Sequence, residues 1–303
     1  MKRLFSLLVT LVLMLSFTAF AQEDAYVPTV AAPSGAPALA LSAWAVEHPD
    51  AYRFVAADTI AAEFAGAQAD FIIAPINAGA KLFKAGKSAY QLAAVVTWGN
   101  LYFASQKADF ALSNMNGAEI VLFGEETINA SVALFALEKA GIVPASVSYL
   151  ASAANTQSLL LSDANAMVLT AEPALTAARI KNGTISAYAL NDLLKEVGMD
   201  GYAQAGLFVK PETAKEHPEA VKVFLAAVEK SANANNEDLE TAAANAVALE
   251  ILPNAKVAMS AIPNCAIRYV AAADAREQIE ATASIDLKQY GGALPEDSFY
   301  FAE

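Results

Sequence analysis

The chain has 303 residues, 56% of them hydrophobic, and a formal net charge of −13 at pH 7. This acidity excludes nucleic acid and bulk anionic membrane as partners, because phosphates need a basic surface; backbone amides at helix N-termini can still bind a small anion. The length favours two domains or one large one, and the single cysteine, Cys265, cannot form a disulfide within the chain.

The N-terminus has the three parts of a secretory signal in order. Lys2 and Arg3 form a positive start, Leu4–Phe17 is an uncharged apolar run, and Ala19-Phe20-Ala21 ends it with small residues. A transmembrane anchor is the alternative, but it needs about 20 apolar residues and a basic flank. We predict cleavage after Ala21, which leaves 282 residues and, without Lys2 and Arg3, a net charge of −15. No cysteine follows the cleavage site to carry a lipid, so we expect a periplasmic protein.

Short apolar runs alternate with longer helical stretches along most of the chain, which predicts an α/β protein with open, mostly parallel sheets. The pattern restarts after Asn116-Gly117, so we predict two Rossmann-like lobes. The expected strands are Tyr26–Ala31, Tyr52–Ala56, Asp70–Ala74, Tyr90–Thr97, Leu101–Ser105, Glu119–Phe123, Val147–Leu150, Ala166–Leu169, Ile185–Ala189 and Gln204–Val209. The expected helices are Ala36–Glu47, Asp58 or Thr59 to Gly66, Pro75–Gly86, Thr127–Ala140, Thr156–Leu161, Pro173–Lys181, Glu219–Asn233, Asp238–Leu249 and Ala271–Ala283, with a break at Asn233–Asn236.

The chain is poor in groups for catalysis. Its only histidines, His48 and His217, each precede a proline, which is typical of exposed helix ends or loops. No nucleophile elbow, P-loop, dinucleotide fingerprint or Cys/His cluster with zinc spacing is present. We therefore expect no catalytic residue, no metal and no cofactor.

Six loops follow predicted strands at matching places in the two lobes, and in open α/β sheets small ligands bind at that edge. Helix capping also explains a small residue beside a hydroxyl or amide at a helix start. The recurrence of such loops in both lobes predicts a ligand cleft between them. The candidate ligand-binding residues are Ser34, Gly35, Ala36, Pro75, Asn77, Thr97, Trp98, Asn100, Glu125, Thr127, Asn155, Thr170 and Glu172.

Two of these residues have specific alternatives. Trp98 ends an apolar strand, where it is either a core residue or a stacking face for a flat ring. Glu172 precedes Pro173 at a helix start, where it either suits the helix dipole or accepts a hydrogen bond from a ligand amine.

Together these features resemble the type II solute-binding proteins of ABC importers, in the branch for nitrate, sulfonates and thiamine-pyrimidine precursors. The likeness covers the whole mature chain. It is carried by Pro33-Ser34-Gly35-Ala36-Pro37, Asp70-Phe71-Ile72-Ile73-Ala74-Pro75, Thr170-Ala171-Glu172-Pro173, His217-Pro218-Glu219 with Val221 and Phe224, and Gly291-Gly292-Ala293-Leu294-Pro295 with Phe299-Tyr300.

The resemblance implies two lobes joined by crossing segments near Leu101–Ser105 and Tyr202–Leu207, with residues 22–104 and 206–303 in the first lobe and 105–205 in the second. It also implies a protein, expected to be a monomer, that closes on a small solute and presents it to the permease subunits of an ABC importer. No arginine falls in a candidate loop, so we expect a neutral or heteroaromatic solute rather than nitrate or a sulfonate. The alternative is an enzyme on the same fold, like the pyrimidine synthase and menaquinone-pathway enzymes that the family resembles.

Overall fold

The computed structural model describes residues 26–56 and 59–302. The predicted signal at 1–21 and the proposed helix cap Asp58 therefore lie outside the described residues. Within the described part, eleven strands form two sheets, and helices pack on the faces of both. This arrangement confirms the predicted α/β class with two sheets.

The strands and helices are numbered here in chain order. The strands are β1 Val30–Pro33, β2 Tyr52–Val55, β3 Phe71–Pro75, β4 Gln91–Thr97, β5 Leu101–Ser105, β6 Glu119–Phe123, β7 Ser146–Leu150, β8 Met167–Ala171, β9 Ser186–Ala189, β10 Ala205–Val209 and β11 Ile267–Ala271. The α-helices are α1 Ser42–Glu47, α2 Ile60–Gly66, α3 Ile76–Lys84, α4 Ile128–Lys139, α5 Ala153–Ser162, α6 Ala174–Lys181, α7 Leu190–Glu196, α8 Pro211–Glu216, α9 Pro218–Glu237, α10 Leu239–Ala248, α11 Ala255–Ala261 and α12 Arg276–Ile285. Short 3₁₀ helices span Ala36–Leu41, Leu112–Met115, Ile262–Asn264, Leu287–Tyr290 and Asp297–Phe299.

The two sheets are mixed, which corrects the expectation of mostly parallel sheets. The first has the order β11-β4-β10-β3-β1-β2, and the second β7-β6-β8-β5-β9. Pairing is parallel in the blocks β3-β1-β2 and β7-β6-β8. It is antiparallel wherever β10, β11, β5 or β9 takes part. Strands β5 and β10 follow directly after the two crossings and therefore enter their sheets from the carboxyl edge, and β11 also begins at that edge.

The chain passes between the sheets twice. Strand β4 pairs in the first sheet and β5 in the second, so the first crossing is the short segment 98–100. The predicted crossing at Leu101–Ser105 is therefore a strand of the second sheet, and the lobe boundary predicted after residue 104 falls inside that strand. The return runs between α7 and β10, over 197–204, and overlaps the predicted Tyr202–Leu207.

Helices cover both faces of the first sheet. On one face, Trp44 of α1 and Phe224 of α9 meet edge to face with ring centroids 4.9 Å apart. On the other face, Phe64 of α2 meets Phe208 of β10 in the same way at 5.0 Å. The apolar cluster on this second face continues through Trp98 into the second lobe. The two lobes therefore share one continuous core.

Helix α9 follows the expected apolar stripe but not the expected end. Val221, Phe224 and Val228 are buried at helical spacing, as predicted. The predicted break at Asn233–Asn236 is wrong, because the helix continues to Glu237. The Asn235 amide explains this: it is buried and donates to the Leu39 carbonyl at 3.0 Å and to the Ser231 carbonyl at 3.0 Å, so it serves the helix and its packing.

The predicted helix Ala271–Ala283 begins too early. Ile267–Ala271 is the edge strand β11, Ala272–Ala275 form a turn, and α12 begins at Arg276. Among the described residues, no helix is both long enough and apolar enough to cross a membrane.

Candidate functional site

The carboxyl edges of the two sheets meet at the first crossing. Thr97 ends β4, where it lies opposite Ala205 of β10, and Ala205 lies opposite Pro75 at the end of β3. Four residues later, Leu101 begins β5 opposite Ala171, the last residue of β8. Because parallel strands end at the same edge, the loops after β1, β3, β6, β7 and β8 all lie along these two facing edges.

The loop after β1 offers an open surface. Gly35 has φ +102° and nothing within 4 Å of the position that a Cβ would take, and its neighbour Ser34 is exposed. The Ser34 N–H donates to the Val55 carbonyl at 2.9 Å, which ties this loop to β2. Ala36 is buried at the start of the helical segment, so within this loop only Ser34 and Gly35 present atoms to the edge.

Two predicted site residues take part in helix capping. Thr127 is the N-cap of α4, and its Oγ1 accepts from the Ala130 N–H at 3.4 Å. Asn155 is exposed, and its N–H donates to the Ser152 hydroxyl, the cap of α5, at 3.4 Å. Helix α5 begins at Ala153, earlier than the predicted Thr156, because Ser152 supplies the cap. Glu125, also predicted, is exposed in the loop before α4.

Buried polar atoms without a partner gather at the junction of the edges. Thr97 is 1% exposed, and its Oγ1 has no hydrogen-bond partner among the described residues. The same holds for Asn77 Oδ1, one residue inside α3, and for Asn191 Oδ1 in α7. Three of the six such atoms in the described chain thus lie near one place, where two of them belong to predicted site residues. Pro75, the N-cap of α3, is half-buried beside them.

Gln204, on the return crossing, links these elements, although no sequence motif marks it. Its backbone N–H donates to the Thr97 carbonyl at 3.0 Å, and its carbonyl accepts from the Ile76 N–H at 3.1 Å. Its side chain reaches the Asn100 N–H at 3.4 Å and Asn129 Oδ1 of α4 at 3.4 Å. Gln204 lies just before β10, which runs antiparallel to its neighbours. The start of β10, and not its end, therefore lies at the candidate edge, and only the direction of this strand shows it.

Asn100 and Glu172 join the first crossing to the end of β8. The Asn100 amide donates to the Glu172 carbonyl at 2.7 Å, and the Glu172 N–H donates back to the Asn100 carbonyl at 2.9 Å. The Glu172 carboxylate is buried and accepts from the Thr176 N–H at 3.1 Å and hydroxyl at 2.9 Å. Burial raises its pKa, although the Thr176 hydrogen bonds and the charge of Arg179 oppose this shift. Thr170, in β8, is fully buried, with its hydroxyl 3.5 Å from the Ala153 carbonyl.

Trp98 is packed into the crossing. Its ring is 5% exposed, its indole N–H donates to the Arg268 carbonyl at 3.0 Å, and the Arg268 guanidinium lies over the ring at 4.3 Å. Asn191 holds the Trp98 carbonyl at 2.7 Å. Of the two alternatives for Trp98, the structure has the core arrangement, with a cation in place of a ligand on one face.

The candidate edge is acidic. The loops 33–36, 75–77, 97–100, 124–127, 151–155 and 170–173 contain Glu125, Glu126 and Glu172 and neither lysine nor arginine. Lys288 of the first lobe lies 3.8 Å from Glu126, and both side chains are almost fully exposed. Such an exposed pair is weak in water. Outside these loops, the Arg268 guanidinium of β11 lies over Trp98 at the same edge.

Two hollows lie elsewhere in the first lobe. One, of about 720 Å³, is lined by Lys87, Tyr90 and Lys210, and the other, of about 660 Å³, by Tyr26, Trp44 and His217. Both lie at the end of the first sheet opposite Thr97, so neither is the candidate site. Within residues 26–56 and 59–302, no three His, Cys, Asp or Glu side chains are placed to hold a metal ion.

Comparisons with known proteins agree with this architecture. Residues 110–242 match the family model described as NMT1/THI5 like. An ABC transporter structure from Parabacteroides distasonis superposes with a TM-score of 0.77 at 20% identity, over 91% of this chain and 99% of that one. A ligand-binding component of an ABC-type import system from Staphylococcus aureus gives 0.70 at 15% identity, over 91% and 96%.

A third similar structure is the periplasmic aliphatic sulphonate binding protein of Escherichia coli, with a TM-score of 0.65 and 14% identity over 86% of this chain and 87% of that one. No curated protein sequence matches the chain. The chain therefore has the two-lobed α/β fold of the type II periplasmic solute-binding proteins, and its residues 110–242 are NMT1/THI5-like in sequence.

Proposed function

We propose that this protein is the exported solute-binding component of an ABC importer and that it captures a small solute where the carboxyl edges of its two sheets meet. The fold shared with two structures named for ABC transport supports the role. The observation that carries the proposal is the pair of buried, unpartnered atoms Thr97 Oγ1 and Asn77 Oδ1 at that junction. Each such atom costs about 1–3 kcal/mol, and a polar group of a solute would offset that cost.

The charge of the edge selects the solute. A sulfonate, which the Escherichia coli neighbour binds by name, would meet the exposed Glu125 and Glu126 in the candidate loops, and the Arg268 guanidinium at this edge already lies on the Trp98 ring. We infer a neutral or positively charged solute, with nitrogen heterocycles as the leading class. Trp98 is covered, so recognition rests on polar groups at the edge rather than on stacking against this ring.

Binding couples to lobe closure. A solute that touches both edges makes all its contacts only when the lobes are together, so its differential affinity shifts the population toward the closed form. The permease subunits at the membrane would bind that closed form. The location follows from the predicted signal, and a mature periplasmic monomer that begins at Gln22 is the expected species.

The test is a solute screen by thermal shift on the mature protein, with vitamins, pyrimidines, amines, amino acids and sulfonates. A solute at 100 times its dissociation constant adds about 2.7 kcal/mol of stability, which is readily measured. Stabilisation by neutral or cationic compounds supports the solute class, whereas stabilisation by sulfonates alone contradicts it. Turnover of any compound in the screen would instead favour an enzyme.

A matched pair of variants then locates the site. Thr97→Val removes an unpartnered hydroxyl, so it should weaken binding of the identified solute about tenfold without loss of stability. Thr156→Val removes a buried hydroxyl that already donates to the Ala153 carbonyl at 3.0 Å, so it should cost stability and leave affinity unchanged. Equal affinity in Thr97→Val and the wild type would remove Thr97 from the site.

A further inference from the structure

A segment near the C-terminus, residues 276–290, reaches from the first lobe to the second; we call it the C-terminal arm. It consists of α12 and the 3₁₀ helix Leu287–Tyr290. The arm is tied to the return crossing, because the Ala203 N–H donates to the Thr282 hydroxyl at 3.2 Å. Its outer end then lies against the first turns of α4, which follow a candidate loop of the second lobe.

Two hydrogen bonds join the arm to α4. The Ser131 hydroxyl donates to Asp286 Oδ2 at 2.8 Å, in a partly buried position. The Gln289 amide donates to the Glu126 carbonyl at 2.6 Å. The Gln289 distance is short for an N–H···O bond, the Ser131 distance is ordinary for an O–H···O bond, and neither bond needs a solute.

The backbone of Glu126 is shaped for this contact. Its φ of +55° places a non-glycine residue in the left-handed region, which costs roughly 1–2 kcal/mol. Such a conformation persists only where its surroundings compensate for it. The carbonyl that Gln289 binds belongs to this residue, so the strain and the contact between lobes occur together.

An apolar contact lies beneath the hydrogen bonds. Ile279 and Ala283 of the arm are fully buried in the same cluster as Ala130 and Ala133 of α4. The apolar contact lies next to the return crossing, because Thr282 between Ile279 and Ala283 binds Ala203. The Ser131–Asp286 and Glu126–Gln289 contacts lie further along the arm, and lobe opening by rotation about the crossings 98–100 and 197–204 would separate them. The arm therefore opposes opening.

We infer that Asp286 and Gln289 are positioning residues that hold the lobes together before any solute arrives and thereby set the solute affinity from outside the cleft. The affinity part of this inference rests on the proposed function, while the lobe arrangement does not. When only a fraction of the protein is competent to bind, the apparent affinity falls by that fraction. A lost hydrogen bond of ordinary strength should then weaken binding roughly threefold to tenfold.

The arrangement is tested without solute, by measuring distances between spin labels. The labels are placed on exposed residues of the two lobes, as Lys222→Cys in α9 and Lys181→Cys in α6, while the native Cys265 is buried. Asp286→Ala with Gln289→Ala should shift the distance distribution to longer values. Asp286→Asn keeps an acceptor for Ser131 and should restore the shorter distances. The control Ser284→Ala, on the exposed side of the arm with only an intrahelical bond to Glu280, should change nothing.

Unchanged distances in the double variant would overturn the inference, provided that circular dichroism shows a folded protein. If the double variant does not fold, the same distances are measured in Gln289→Ala alone. This side chain lies at the surface, so its loss should not prevent folding, and unchanged distances would again overturn the inference. Once a solute is known, the double variant should bind it threefold to tenfold more weakly, mainly through a smaller closed fraction. Longer distances with no solute found would refute the proposed function and leave the arm's role intact.

Discussion

Gly99, in the first crossing, gives the sharpest test of how the lobes are joined. Its φ is +82°, and a Cβ there would lie 2.6 Å from Cε1 of Tyr202 and 2.7 Å from Oδ1 of Asn191. Neither neighbour can move away easily. Tyr202 is fully buried, and Asn191 donates to the Trp98 carbonyl at 2.7 Å and to the Gly99 carbonyl at 2.8 Å.

Two costs add in Gly99→Ala. The left-handed backbone costs alanine about 1–2 kcal/mol, and forcing a methyl group into a packed site costs about 1–3 kcal/mol. We therefore expect a loss of about 2–5 kcal/mol in the free energy of unfolding. Gly117→Ala is the matched control, since Gly117 has φ +70° but open space around it, and it should show only the first cost.

The assay is urea denaturation followed by far-ultraviolet circular dichroism, on both variants and the wild type. The reasoning is refuted if Gly99→Ala is no less stable than Gly117→Ala. In that case the two crossings would not be packed against each other as the structure has them.

Three further predictions concern buried groups. Burial raises the pKa of Glu172, so ionisation of this carboxyl group costs stability above about pH 4.3. The urea midpoint of Glu172→Gln should therefore rise relative to that of the wild type as the pH goes from 4 to 8. A constant difference between the two midpoints would contradict this. Burial alone would raise the pKa of Asp70, but hydrogen bonds from the Thr213 hydroxyl at 2.6 Å and the Thr29 N–H at 2.8 Å hold this pKa below its usual value. The ionised Asp70 therefore stabilises the fold above about pH 3.9, and this stabilisation is lost as the pH falls through the lower folded pKa. Asp70→Asn should cost about 1–3 kcal/mol at pH 7 and flatten the acid limb of a stability–pH curve; an unchanged acid limb would argue against it. Trp98→Ala should cost about 3–5 kcal/mol in chemical denaturation, since the ring is buried, and a fully stable variant would place the ring outside the core.

Local patterns predicted the bounds of two inner strands of the second sheet. Leu101–Ser105 and Glu119–Phe123 have the predicted bounds, because a short apolar run between turn residues has few other arrangements. The edge strand β11 was missed: Ile267–Ala271 pairs only with β4, and its exposed Arg268 interrupts the apolar pattern. The break expected at Asn233–Asn236 failed because Asn235 is buried on the Leu39 carbonyl, a contact that forms only when the first lobe packs around the helix.

The candidate site was predictable only in part. The ends of the strands could be found from the order of elements, and Thr97, Asn77 and Glu172 lie at or just after such ends. Gln204 could not be found in this way, because its place depends on the direction of β10. Nor could the sequence show that Arg268 covers Trp98, since the two residues are 170 positions apart. Contacts between distant segments thus decide which candidates remain accessible.

The position of β10 has a consequence for the order of folding. This strand lies between β3 and β4, which are neighbours in the chain but do not pair with each other. Residues up to 97 can therefore form only separate fragments of the first sheet, and its centre stays open until residue 209 has been synthesised. The second sheet, by contrast, needs only residues 101–189 and can form first. A nascent chain with this topology remains incomplete until late in synthesis, and we expect refolding to be limited by the insertion of β10.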